Sequence, residues 1–211
     1  MTAPPTIPGL KKSHLPAVGI IGLALIGVAM ASVYYTQFVA PPSTTCTVAP
    51  IHRVYIMSAI IQDIQGFKVE AIYSTNLTTP LPVNSSGVPN VASNSFTKLP
   101  ARADPREVYG SIGDTITIYI KANNSTDSRQ YNPIPGHGFD FTDKSFIQSL
   151  NVTGGTPANP PQPTPVVLNF AKWVTVTFKV VAQATAGYFC TVVCSSEHQN
   201  MKGSLKAGCG G

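Results

Sequence analysis

Strict alternation of apolar and polar residues, with no helical period after residue 50, limits the bulk of this chain to an all-β domain. The clearest run is Gly113-Asp-Thr-Ile-Thr-Ile-Tyr-Ile120, a Gly-Asp turn followed by alternation. Successive side chains of a strand face opposite sides, so such a run buries one face and leaves the other polar. Residues 66–73 alternate in the same way, and residues 53–61, 166–170 and 173–180 are apolar and β-prone. Another strand starts at residues 187–190, and residues 201–206 close the domain. Charged residues make up only 11% of the chain, far below the ~25% usual in soluble proteins. Ser, Thr, Asn, Pro and Gly take their place, and these favour turns or compete with helical hydrogen bonds. Short strands with turn signals between them predict a sandwich or barrel. Residues 74–106 are rich in Pro, Asn and Ser and lack periodicity, which predicts a long surface insertion.

The N-terminal segment is of another kind. Residues 15–38 carry no charge, and residues 18–33 are almost wholly apolar. About 20 such residues in a helix span a bilayer core. Lys11 and Lys12 precede the run, and Tyr34, Tyr35 and Phe38 follow it, where aromatic rings favour the membrane interface. The positive-inside bias predicts a cytoplasmic tail (1–14), a transmembrane helix (15–39), a linker (40–50) and an extracytoplasmic domain (51–211) holding the 74–106 insertion. Ala29-Met-Ala31 also fits a signal-peptide cleavage site, but the apolar run is longer than the ~7–15 residues of a signal core. Either way the domain lies outside. Sequons at Asn76, Asn84, Asn123, Asn124 and Asn151 agree with that address, though a chain rich in Asn, Ser and Thr also generates them by chance. The net charge of +5 is scattered, with no Lys/Arg block, which argues against nucleic-acid binding.

Chemistry concentrates in Cys190-Thr-Val-Val-Cys194-Ser-Ser-Glu-His198-Gln-Asn-Met201, with His137 upstream in Pro135-Gly-His-Gly-Phe-Asp140, read as a loop after the strongest strand. Thiolate, imidazole and thioether together select copper or another soft metal over magnesium or calcium. One Cys, two His and a Met make a mononuclear blue-copper set. Here a second Cys sits four residues from the first, so two thiolates can bridge two coppers, each with its own histidine. Outside the cell the same two cysteines can instead form a disulfide; the nearby His and Met donors favour metal. Cys46 and Cys209 remain, and a bridge between them requires Cα atoms within about 7 Å.

The C-x-x-x-C-x-x-x-H-x-x-M pattern resembles the dinuclear copper site, CuA, of cytochrome c oxidase subunit II. The ending His198-Gln-Asn-Met-Lys-Gly-Ser-Leu205 and the upstream His137-Gly-Phe are similar to the single-helix subunit II of small prokaryotic haem–copper oxidases. The resemblance covers the anchor and residues 107–206. It implies a cupredoxin-like Greek-key β-sandwich preceded by one transmembrane α-helix. It implies that Cys190 and Cys194 bridge two copper ions, that His137 and His198 each bind one, and that Met201 and the carbonyl of Val192 are weak axial ligands. It implies an oxidoreductase role within a proton-translocating complex: electrons pass from an external donor, a cytochrome c or a blue-copper protein, to haem in subunit I. Val192 stands where relatives often carry a Glu that also helps bind magnesium. Carboxylates for docking a basic cytochrome c are scarce, which favours a different donor.

Other residues have plainer expected roles. His14 and His52 are expected to be non-functional, and Phe139 and Trp173 to be core. Asp140 and Glu197 flank expected ligands, either as hydrogen-bond acceptors to them or as exposed side chains. Competing functions are a copper-delivery or thiol-redox assembly factor, which uses a thioredoxin-like α/β fold, another membrane-anchored cupredoxin carrier, the CuA domain of a nitrous oxide reductase, and a metal-free surface domain.

Overall fold

A computed structural model describes residues 46–61, 66–85, 87–134, 136–157 and 163–209. Residues 44–211 form their own compact unit. Its strands are β1 (His52–Ile60), β2 (Gly66–Thr75), β3 (Phe96–Leu99), β4 (Glu107–Ser111), β5 (Thr115–Ala122), β6 (Gly136–Phe141), β7 (Ile147–Thr153), β8 (Thr156–Pro157), β9 (Val166–Asn169), β10 (Trp173–Val180), β11 (Ala184–Phe189) and β12 (Lys202–Gly208). They form two six-stranded sheets, β3-β2-β1-β5-β10-β7 and β4-β12-β11-β6-β9-β8. The chain crosses repeatedly between the sheets, which makes β1·β5 and β4·β12 parallel pairs in an otherwise antiparallel sandwich. No βαβ unit occurs among the described residues, so the domain lacks the frame of a thioredoxin-like fold. Among these residues no helix is long and apolar enough to cross a membrane. The expected span, residues 15–39, lies outside them, as does His14.

The alternation read in the sequence reaches the core as expected. Ile116, Ile118 and Ile120 of β5 are fully buried between the sheets, with Val174, Val176 and Phe178 of β10. Across the sandwich lie Phe139, Tyr188 and Leu205. Phe67, Phe139 and Tyr188 contact one another edge-on or tilted, with ring centroids 5.4–5.6 Å apart. Each aromatic buries a large apolar area, so this cluster stiffens one end of the sandwich. Phe139 is core, as expected. Trp173 is only half-buried and belongs to the outer face of its sheet.

Five strands escaped the sequence reading: β3, β6 and β7, and the short β4 and β8. Within residues 74–106, β3 adds a strand beside β2. Leu81 and Phe96 from that stretch bury themselves with Val54 and Tyr119 on the outer face of the sheet, so the segment covers a second apolar cluster. β7 alternates imperfectly because a bulge shifts its register against β10 between Thr177 and Lys179, next to Ser149 at φ 56°. β6, expected as a loop around His137, is a strand between β11 and β9. It is buried almost throughout and contains two glycines, so it shows no alternation to read.

Cys46 and Cys209 form a disulfide with Cα atoms 5.0 Å apart, joining the start of the domain to its end. A buried ion pair, Arg53 Nε to Asp114 Oδ2 at 2.6 Å, anchors β1 to the turn before β5. Asp114 also accepts from the backbone N–H groups of Ile51 and Ser111 at 2.8 Å, so its lone pairs are filled.

Candidate metal centre

The loop of residues 190–201 joins two paired strands, and that pairing forces its ends together. Phe189 lies opposite Lys202, and Cys190 N donates to Met201 O at 2.9 Å. Cys190 and Met201 are therefore neighbours in space at either end of the loop. A 3-10 turn at His198–Asn200 tightens the return, with Met201 N donating to His198 O at 3.0 Å. β6 runs beside β11, with Phe189 opposite Asp140, so His137 reaches the same end.

His137, Cys190 and Cys194 are buried, and their ligand atoms lie within 4.8 Å of one another. The two sulfurs are 3.8 Å apart and are free thiols, not a disulfide. Met201 Sδ stands 3.4 Å from Cys194 Sγ, and the Val192 carbonyl oxygen 3.2 Å from Cys190 Sγ. His198 stands outside the 4.8 Å group, on the same loop, with its N–H donating to Ser195 O at 3.3 Å. Five of the six residues singled out in the sequence are thus in direct array, and the sixth is tethered beside them.

The histidines carry the sharper signal. His137 Nε2 is 3.3 Å from the Asn123 carbonyl, which can only accept, so Nε2 holds the proton and Nδ1 is left as a lone pair. That Nδ1 is buried with no hydrogen-bond partner, and so is His198 Nδ1. A buried polar atom without a partner costs about 1–3 kcal/mol. An orphaned imidazole nitrogen beside two thiols, with a second on the same loop, is what a soft-metal site requires, and the donor set fits copper. Phe170 packs edge-on to the His137 ring, with centroids 5.4 Å apart, and holds its plane.

The two thiols are coupled through a hydrogen bond. The hydrogen bond from Cys194 is the largest influence holding Cys190 below the usual thiol range, against the opposing effect of burial. The same bond, with burial, pushes Cys194 up. A cation between them would relieve the cost of ionising both, because metal binding favours the deprotonated ligand.

Several contributors were not singled out in the sequence. Gly138 N donates to Cys190 Sγ at 3.2 Å. A Cβ on Gly138 would lie 2.7 Å from Val192 N, so only glycine lets β6 approach the ligand loop. Gly66, at φ +58°, sits under Met201, where a Cβ would lie 2.9 Å from Met201 Cα. Residues 129–131 brace the far side: Tyr131 N donates to Cys194 O at 2.8 Å and Ser196 N to Arg129 O at 3.3 Å. These are backbone contacts between distant segments, and only the glycines leave a trace in the sequence. Asp140 pairs with Lys144 at 2.8 Å, and Glu197 accepts from Asn200 Nδ2 at 2.7 Å. The acceptor that orients His137 is instead the Asn123 carbonyl.

No family profile matches the chain, and no curated protein matches it. Among solved structures it is similar to a heme-copper terminal oxidase dimer, at 10% identity over 93% of this chain and 99% of that one, with a TM-score of 0.33. It is also similar to auracyanin from Roseiflexus castenholzii, at 21% identity over 49% of this chain and 85% of that one (TM-score 0.31). A laccase from Pediococcus acidilactici shares 14% identity over 79% of this chain and 28% of that one (TM-score 0.36).

Proposed function

We propose that this chain is the electron-accepting subunit of a haem–copper terminal oxidase, a membrane-anchored relay that binds two copper ions at the 190–201 loop. The observation that carries the reading is the convergence of His137 with Cys190 and Cys194, joined by two buried Nδ1 atoms that have no partner. In this reading Cys190, Cys194, His137 and His198 would hold the two ions, the histidines through Nδ1, with Met201 Sδ and the Val192 carbonyl as further donors. A copper pair held by two thiolates supplies one-electron redox chemistry. The residues of this chain make the site rigid. The Cys190–Met201 backbone hydrogen bond closes the loop, Gly138 N–H fixes one sulfur, and the Asn123 carbonyl and Phe170 ring fix His137. Ligands held in place by a packed scaffold reorganise little when charge changes, which keeps electron transfer fast.

The rest of the assignment is argued from the sequence. The 15–39 helix anchors the chain with its N-terminus in the cytoplasm and the domain outside. A cytochrome c or blue-copper protein delivers electrons, and haem in the partner subunit receives them. The Cys46–Cys209 bridge supports an oxidising exterior. Val193 on the ligand loop and Tyr131 against it are exposed, and suit a donor that docks through apolar contact. The all-β frame weighs against the thiol-redox assembly factor.

The test is the visible and EPR spectrum of the copper-loaded protein together with its copper content. Two coppers per chain, a purple colour and a seven-line hyperfine pattern are expected. A four-line pattern from one copper would replace the site with a mononuclear centre, and a colourless protein would end the proposal.

A further inference from the structure

The outer face of the first sheet carries a groove with a volume of about 740 Å³, within the ordinary range for a small-molecule site. Its wall is Thr79, Pro80, Leu81, Val83 and Gly87, and its floor is sheet. The floor is made of two cross-strand rows, Thr117–Thr177–Asn151 and Tyr119–Thr175–Thr153, with Trp173 among the lining residues. Residues paired across antiparallel strands point to the same side, so the Thr153, Thr175 and Thr177 hydroxyls and the Asn151 amide share one surface, with Thr117 and Tyr119 buried at its base. Hydroxyls beside an indole make a surface suited to saccharide, which offers hydroxyls to the first and C–H faces to the second.

Asn151 begins the sequon Asn151-Val-Thr153, and both of its defining residues line this groove. Asn151 is exposed. By contrast, the side chains of Asn84 and Asn124 are hydrogen-bonded within their own loops. β7 is also an open edge of its sheet. Proteins usually blunt such edges with charge, proline or bulges. The run Ile147-Gln-Ser-Leu-Asn-Val-Thr153 has no charge and no proline, and a single bulge, at Ser149–Leu150, is the one such device it carries.

We propose that Asn151 carries an N-linked glycan that lies in this groove against Trp173 and shields the β7 edge. The reaction needs a lipid-diphosphate-linked oligosaccharide as donor. Asn151 Nδ2 forms a bond to the anomeric carbon, the anomeric carbon–oxygen bond to diphosphate breaks, and the lipid diphosphate leaves. Nδ2 gives up one proton, and no electrons are exchanged. The inference rests on the extracytoplasmic placement proposed above, and on nothing about copper.

The test is peptide mass mapping of the full-length protein from its own cells. A glycan mass on the Asn151 peptide is expected; it should survive Thr153→Ser, which keeps the sequon, and vanish in Thr153→Val. An unmodified Asn151 together with an intact Cys46–Cys209 bridge would overturn the inference while leaving the exterior address standing. Reduced Cys46 and Cys209 would overturn the address and the inference with it. Trp173 is the only tryptophan, so its fluorescence reports the groove. Releasing the glycan from the folded protein should move the emission to longer wavelength. Unchanged emission after complete release would overturn the seating of the glycan in the groove.

Discussion

Replacing Gly138 with Ala tests whether the approach of β6 to the ligand loop is as close as the structure has it. The added methyl would meet Val192 N at 2.7 Å and Thr191 N at 2.5 Å, where ordinary contact begins near 3.4 Å. Relief at Val192 alone requires a shift of 0.7 Å (3.4 − 2.7) between two backbones. Neither side is a flexible side chain that could swing away. Overpacking of this kind costs about 1–3 kcal/mol. The shift also pulls Gly138 N from Cys190 Sγ, now at 3.2 Å, and a hydrogen bond of that kind is worth about 1 kcal/mol. The expected loss is therefore about 2–4 kcal/mol in urea unfolding of the metal-free protein. Because the displaced groups hold a proposed ligand, copper affinity should also fall, by about 10–100-fold. Equilibrium unfolding and competitive copper titration read the two effects separately. A Gly138→Ala protein with wild-type midpoint and affinity would refute the close approach, and with it the account of how Cys190 is fixed.

Three further perturbations separate the site from its scaffold. Met201→Leu keeps the buried volume and removes the thioether; copper content should stay at two per chain while the reduction potential shifts, and an unchanged potential would remove Met201 from the site. The Cys46→Ser, Cys209→Ser double variant opens a link spanning 163 residues of sequence, so stability should fall by as much as about 5 kcal/mol on chain-entropy grounds, with the copper spectrum unchanged. His52, expected to have no functional part, donates from Nδ1 to Leu77 O and meets Thr117 Oγ1 through Nε2, at 2.9 and 2.8 Å. Burial is the larger influence and lowers its pKa, against the Leu77 hydrogen bond. The folded state then binds protons less readily than the unfolded one, so His52 contributes its full stability above the unfolded value of ~6.5 and loses it as pH falls below that towards the folded value. His52→Gln should flatten the urea midpoint over this window, removing a slope of at most about 1.4 kcal/mol per pH unit. Carboxylates such as Glu107, lowered chiefly by hydrogen bonding to Lys206, act in a more acidic range. An identical pH profile in the variant would show that His52 does not titrate across folding.

How far the sequence could be read followed from how local each signal was. Alternation in residues 115–120 and 173–180 arises from neighbours two apart, so β5 and β10 and their buried faces were legible at once. The ligand loop was legible for a similar reason: Cys190, Cys194, His198 and Met201 fall within one hairpin connection, and donor chemistry alone marks them. His137 could be nominated by residue type, but not located. Its place depends on β6 lying between β11 and β9, a long-range pairing that a buried, glycine-bearing strand does not announce. The tautomer of His137 and the close approach of Gly138 to Thr191 are likewise products of segments far apart in the chain. So is the Cys46–Cys209 bridge, which the sequence allowed and only the meeting of the two ends of the domain could decide. Composition and spacing set which atoms are available for chemistry; the order of strands in two packed sheets set which of them meet. Side-chain period and donor type are properties of a residue and its near neighbours, whereas sheet order is fixed by the burial of the whole core.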